Sequence, residues 1–240
     1  MTPQTELDRQ SVVAAQAMLA ALTEFSQRAG HDMIGPLSQA GSLLALYVRR
    51  QKDQSNDDGK ELLEFLQTAA ARMEGLVSGV RKYMEIAGRP PNATPVDLNR
   101  SVADAIAALS SAISQSGAVI SEETLPIVVA DAAQMRSLFE ILIGNAIRFR
   151  KPESPPRIRL SFRREGAVAV IAVEDDGIGI EPENREAVFL PFRRLNGREY
   201  PGQGLGLALA RLIVGMQGGM IRAGQSPAGG TRFEFTVCSA

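Results

Sequence analysis

The chain contains one cysteine, one histidine and no tryptophan. A lone cysteine, Cys238, cannot close an internal disulfide, so no disulfide framework supports the fold and a reducing compartment suits it. Near the end of an alternating segment it reads as a strand-end residue with no chemistry of its own. An excess of either charge is also missing. Lys and Arg total 26 against 27 Asp and Glu, a net charge of −1, which gives no electrostatic case for nucleic acid or for an anionic membrane surface. No apolar run nears the roughly 20 residues of a membrane-spanning helix. The start, MTPQTELDRQ, lacks a basic stretch followed by an apolar one, so no secretory signal is visible. These absences lead to an expectation of a cytoplasmic protein that takes its input from a partner, or of a fragment. Internal repeats and low-complexity tracts are absent as well. What is abundant is apolar: 45% of 240 residues, enough for one large core or two modest domains.

The first half is patterned for helices. Between residues 5 and 51 Pro36 is the only proline, and Met18, Leu22, Phe25, Ala29, Met33, Leu37, Ala40, Leu44 and Tyr47 recur in steps of three and four. At about 1.5 Å per residue such a helix reaches roughly 65–70 Å. DQSNDDG (Asp53 to Gly59) is a polar turn. A second stripe follows through Leu62, Phe65, Leu66, Ala69, Met73, Leu76, Val80 and Tyr83 or Met84, and stops at Gly88 before Pro90-Pro91. The two form an antiparallel hairpin over residues 1–88. Two helices cannot surround their own apolar stripes, so the hairpin is expected to pair with a second copy as a four-helix bundle, a homodimer. Packing of the hairpin on its own C-terminal domain is the alternative.

Residues 89–96, within GRPPNATP, read as a linker, and from residue 97 to 240 the pattern changes. Asp97 to Gln115 is an amphipathic helix. Ala118–Ile120 and Ile127–Val129 are short strands, and Asp131 caps a helix running to about Arg150. Ile158, Leu160 and Phe162 alternate with polar residues as a half-buried strand. Glu165-Gly166 turns into a second strand, Val168 to Val173, a helix follows Gly204, and Arg232 to Val237 alternates again. Helices gathered between mixed strands predict an α+β fold, a two-layer α/β sandwich.

Five short segments fall in order through this half: Asn145 in LFEILIGNAIRFR, then VEDDGIGI, VFLPF, GQGLGLALA and GGTRFEF. Alone, DDGIG reads as an ordinary turn and GQGLG lacks the flanking strand and acid of a dinucleotide fingerprint. Glycines leading into a helix start nevertheless present free N–H groups and the positive end of the helix dipole to an anion, as Gly202, Gly204 and Gly206 would. In this order and spacing the segments resemble the Bergerat-fold ATP-binding domain shared by histidine kinases, gyrase-type topoisomerases and Hsp90-type chaperones. With HDMIGPL upstream, the whole chain resembles the catalytic core of a bacterial sensor histidine kinase. The wording EPENREAVFLPFRRLNGREYPGQGLGLALA is nearest to the phytochrome-like branch.

The resemblance implies ATP and Mg²⁺ as cofactors and gives each residue a role. Asp175 accepts a hydrogen bond from the adenine amino group, with Gly177 and Gly179 letting the backbone approach the base. Asn145 offers its amide oxygen to Mg²⁺, a hard cation that keeps several waters. Arg148, on the same helix face, replaces a common lysine and contacts phosphate. Phe189 and Phe192 match the box before the ATP lid, and phenylalanines at this spacing also serve as core. The lid runs from about Arg193 to Gln203 with Arg193, Arg194 and Arg198, of which Arg194 aligns with a lid arginine near the γ-phosphate. Gly202, Gly204 and Gly206 cradle phosphate. Gly229, Gly230 and Thr231 resemble the last box and read mainly as a turn. This chain departs from the family at Asp176 (often Asn), Ile141 (often Asn or an acid) and Gln203 (usually Thr).

His31 is the phosphoacceptor of the resemblance, with Asp32, Pro36 and Leu37 completing the motif. Its imidazole is largely neutral at pH 7, lone pair available. Asp32 would orient the ring, and Pro36, unable to donate to the Asp32 carbonyl, would bend the helix beside it. Gly35 stands where members with phosphatase activity carry Thr or Asn, which predicts weak dephosphorylation of the partner. The expected activity is an ATP-dependent protein-histidine kinase that passes the phosphoryl group to an aspartate of a response-regulator receiver domain. A histidine phosphotransferase relaying phosphate without ATP turnover is the alternative, and a serine kinase or ATP-driven clamp of the same superfamily a third.

Overall fold

The computed structural model describes residues 41–42, 56–152, 154–195, 200 and 203–240. His31, Asp32, the first helical stripe, Arg198 and Gly202 lie outside the described residues. Helix α1 (Asn56–Ala87) follows the second stripe, and its last turn closes with the Gly88 N–H donating to the Met84 carbonyl at 2.9 Å. Leu76, Tyr83 and Ala87 on one of its faces are buried against the rest of the molecule.

Beyond α1 the chain forms β1 (Thr94–Asp97), α2 (Leu98–Ala108), α3 (Ser110–Ser116), β2 (Val119–Glu122), β3 (Ile127–Ala130) and α4 (Ala132–Arg148). Then come β4 (Arg157–Glu165), β5 (Val168–Asp175), two 3₁₀ turns (Pro182–Asn184 and Ala187–Phe189), α5 (Gly206–Met216), β6 (Ile221–Gln225) and β7 (Thr231–Cys238). The main sheet runs β2-β4-β5-β7-β6, with β2 and β4 parallel and the other neighbours antiparallel. This is the α+β sandwich that the sequence predicts, helices against one face of a mixed sheet.

Local chemistry sets the element ends. Asp97 caps α2 by accepting from the Asn99 N–H at 2.9 Å, and Asp131 caps α4 by accepting from the Gln134 N–H at 3.1 Å. Three elements differ from the sequence reading. The helix expected to run from Asp97 to Gln115 breaks at Leu109, whose N–H is shared between the Ala105 and Ile106 carbonyls; the tightened turn ends α2 and α3 restarts at Ser110. Thr94–Asp97, partly within the presumptive linker, pairs antiparallel with β3 from Thr94↔Ala130 to Asp97↔Ile127. Strand β6 escaped prediction because only Ile221 in it is buried and Gly224 interrupts it.

Ala169, Ile171 and Val173 of β5 enter the core with Phe139, Leu142 and Ile143 of α4, where the Phe139 and Phe235 rings meet edge-on with centroids 5.9 Å apart. The alternate residues Val170 and Ala172 point to the other face of the sheet, yet they are buried too. Arg163 of β4 pairs with Glu234 of β7 across β5, and Arg232 pairs with Glu174, so long side chains roof the central strand.

Candidate functional site

A cavity of about 520 Å³ opens between α4, the end of β5, the start of α5 and α1. That lies within the range of small-molecule and cofactor sites, roughly 300–1,000 Å³. Its lining is mixed in chemistry. Ile178, Ile180, Val188, Leu209 and Phe233 line the cavity together with Asp175, the only carboxylate among the described lining residues, while Arg148, Arg193, Arg194 and Lys82 supply cations.

Asp175 ends β5 and is 8% exposed. Its Oδ1 accepts from the Gly177 and Thr231 N–H groups, both at 2.9 Å. Burial pushes its pKa above the ordinary value, and the two backbone donors only partly offset that. With Oδ1 fixed, the carboxylate is oriented on the cavity wall and can accept from an amine. The neighbouring glycines allow this by close approach. A Cβ on Gly230 would stand 2.3 Å from Asp175 Oδ1 and 2.5 Å from the Gly177 nitrogen, and one on Gly177 would stand 2.4 Å from the Phe149 carbonyl oxygen. The segment Gly229 to Thr231, read from sequence mainly as a turn, therefore holds the key carboxylate in place. Asp176 takes no part in the cavity wall; its Oδ1 accepts from the Arg157 N–H at 2.9 Å, a bond an Asn oxygen would make equally well.

Asn145 and Arg148, three residues apart on α4, both line the cavity. The surrounding wall partly desolvates the Arg148 guanidinium and lowers its pKa, while the side chain as a whole stays exposed and charged. Ile141, one turn earlier, also faces the cavity and touches the Gly206 position.

Helix α5 begins at Gly206 with no side-chain cap, unlike α2 and α4. Its first N–H groups are left for an anion. Gly204 precedes it at φ 73°, and a Cβ there would lie 2.7 Å from both the Phe192 carbonyl carbon and the Arg193 oxygen. Gly179, at φ 76°, Gly204 and Gly206 all line the cavity. Phe189 is buried with its ring edge-on to Phe233 at 6.1 Å, and Phe192 is buried as well, so both phenylalanines serve as core. The lid base is tied back: Arg194 Nη2 donates to the Tyr200 carbonyl at 3.0 Å, and the Tyr200 ring lies 5.2 Å from that of Phe149.

The structure thus brings Asn145, Arg148, Asp175, Gly179, Arg194, Gly204 and Gly206 together around one cavity, with Gly177 directly behind Asp175. The sequence reading missed Gly75, Ser78, Gly79 and Lys82 of α1, which also line it. Their spacing of three and four residues was visible, but only the apolar stripe of that helix was followed.

An anchored carboxylate in an apolar recess, facing an uncapped helix start flanked by arginines, defines a purine-nucleotide site of the kind found in one class of ATPases. Residues 130–240 match the family model described as histidine kinase-, DNA gyrase B- and HSP90-like ATPase. The phytochrome-like protein Cph1 of Synechocystis sp. is 33% identical over 217 residues, 90% of this chain and 29% of Cph1. The sensor-like histidine kinase SenX3 of Mycobacterium tuberculosis is 30% identical over 92% of this chain and 54% of its own length. The chain therefore spans between under a third and about half of these relatives. The histidine kinase ThkA in complex with response regulator protein TrrA shares the fold over 100% of this chain and 68% of that one, with a TM-score of 0.70 and 19% identity. Residues 130–240 are an ATP-binding domain of this ATPase class. Over about nine-tenths of its length the chain resembles the catalytic core of sensor histidine kinases.

Proposed function

We propose that this chain is an ATP-dependent protein-histidine kinase of two-component signalling, which phosphorylates His31 and passes the phosphoryl group to an aspartate of a response-regulator receiver domain. The observation that carries this reading is one cavity that joins the anchored Asp175 to the uncapped start of α5 and its neighbouring arginines. Asp175 accepts from the adenine amino group. The uncapped start of α5, with Arg148 and Arg194, neutralises the phosphates. The boundaries proposed are 1–88 for the helical hairpin, 89–96 for the linker and 97–240 for the catalytic domain.

In the reaction a ring nitrogen of His31 attacks the γ-phosphorus, the bond from that phosphorus to the β,γ-bridging oxygen breaks, and ADP leaves. Asp32 orients the imidazole. Among the described residues no group of three His, Cys, Asp or Glu side chains could hold a metal. A single amide oxygen, Asn145 Oδ1, shared with phosphate oxygens and water, nevertheless suits Mg²⁺. When bound, that ion would neutralise charge on the phosphates.

The receiver partner is supported by the ThkA–TrrA complex, in which a kinase of this fold meets a response regulator. Homodimerisation is supported by the apolar stripe from Met18 to Tyr47 and the start of the second from Leu62, whereas Leu76 and Tyr83 further along are buried within the chain itself. A cytoplasmic site of action follows from dependence on ATP. Among the described residues no helix is long and apolar enough to cross a membrane.

The test is incubation of the protein with γ-labelled ATP and Mg²⁺. Acid-labile, alkali-stable label that disappears in His31→Gln is the expected result. Nucleotide binding without label points instead to a clamp, and absence of binding to a phosphotransferase.

A further inference from the structure

On α1, Gly75, Ser78, Gly79 and Lys82 are spaced three, four and seven residues apart, which places them on one helix face, and all line the nucleotide cavity. This face lies beside the one that buries Leu76 and Tyr83. Two of its residues have no side chain where the glycine-rich turn before α5 presses against the helix. A Cβ on Gly75 would stand 2.0 Å from Gln203 Nε2, and one on Gly79 would stand 2.6 Å from Leu205 Cδ1. The side chains of Gln203 and Leu205 fill the notch, so a larger residue at either position would have to displace the end of one of them or the helix itself.

Lys82 lies one turn beyond Ser78 on this face. It is an exposed cation, and it shares the cavity wall with Arg148, Arg193 and Arg194, where Asp175 is the one carboxylate among the described lining residues. An ammonium on a long stem in the wall of such a cavity suits a phosphate chain as a point charge.

We propose that Lys82 binds the triphosphate end of the nucleotide, and that Gly75 and Gly79 hold α1 close enough for it to do so. The nucleotide site is then completed by α1 and does not belong to the ATPase domain alone. This rests on the reading of the cavity as an ATP site. Gln203, where the family usually has threonine, supplies the seated contact on this chain's own turn.

The test is titration calorimetry on the full chain with ATP and with adenosine. Lys82→Ala is expected to weaken ATP about tenfold, about 1.4 kcal/mol, with adenosine unchanged, and Lys82→Arg to restore most of the loss. Gly79→Leu, which keeps the lysine but forces the helix off the turn, is expected to weaken ATP likewise. An ATP affinity within about twofold of the parent in Lys82→Ala overturns the proposal, and so does an equal loss for adenosine, which would mark a structural effect. Unchanged ATP binding in a folded Gly79→Leu overturns the role of the glycine seat. A parent chain that binds no ATP removes the nucleotide reading itself and this inference with it.

Discussion

The Phe192 N–H donates to the Gly204 carbonyl at 2.9 Å, and both residues sit in the left-handed region, at φ 62° and 73°. The bond joins the end of the phenylalanine box to the glycine turn, closing the lid segment into a loop with a fixed base. Phe192 holds a conformation that costs a non-glycine residue of order 1–3 kcal/mol, held by its buried ring.

Gly204→Ala would force a methyl against the Phe192 carbonyl carbon and put alanine at positive φ. A destabilisation of about 1–3 kcal/mol in denaturant titration is expected, together with weaker ATP binding as the start of α5 shifts. Unaltered stability and affinity would show that the turn is not held by this pair.

Asp175→Asn keeps an oxygen for the Gly177 and Thr231 N–H groups and turns an amide NH₂ toward the cavity. Two donors then face each other when adenine arrives. ATP affinity is expected to fall at least about tenfold, while stability at pH 7.5 stays the same or rises, because an ionised carboxylate no longer has to be buried.

Acid should act at the same residue. Its folded pKa lies above the unfolded value, so the folded state binds this proton more tightly. The stability contributed is present at low pH and is lost as pH rises through the raised pKa. Adenine binding has the opposite sign, since it needs the carboxylate. ATP affinity should therefore fall on acidification at a pH above the ordinary aspartate value of 3.8, with the fold intact by circular dichroism. A binding loss that coincides with unfolding would contradict this.

Asn145→Ala should leave metal-free ATP binding nearly unchanged and abolish the enhancement by Mg²⁺, since the metal loses its protein oxygen. Calorimetry with and without EDTA measures the difference. An intact Mg²⁺ effect would move the metal onto the phosphates alone.

Gly35 supplies no side chain to position a hydrolytic water. Decay of a phosphorylated receiver should be hardly faster with the wild-type chain than alone, and faster with Gly35→Thr. Rapid decay with the unaltered chain would contradict this.

The glycines and Asp175 were legible because each carries chemistry that only a few residue types can provide. Helix caps at Asp97 and Asp131 were legible for the same reason, and central strand β5 because apolar residues crowd it. What sequence concealed were relations between distant segments. Thr231 holds Asp175 from 56 residues away, and nothing local to GGTRF announces that. Gly75 and Gly79 look like ordinary interruptions of a helix until Gln203 and Leu205 are seen lying in them. Strand β1, with Pro95 inside it, did not read as a strand, since its partner β3 was needed to make it one.

The arginine and glutamate roof over Val170 and Ala172 is insulation more than adhesive. The Arg163–Glu234 pair in it is partly exposed and worth little. The alkyl stems beneath shed water whatever the ionic strength. Salt that screens the charges should leave the amides of β5 slow to exchange with deuterium, whereas trimming Arg163 to alanine should open a window onto bare hydrocarbon and make the sheet self-adhesive.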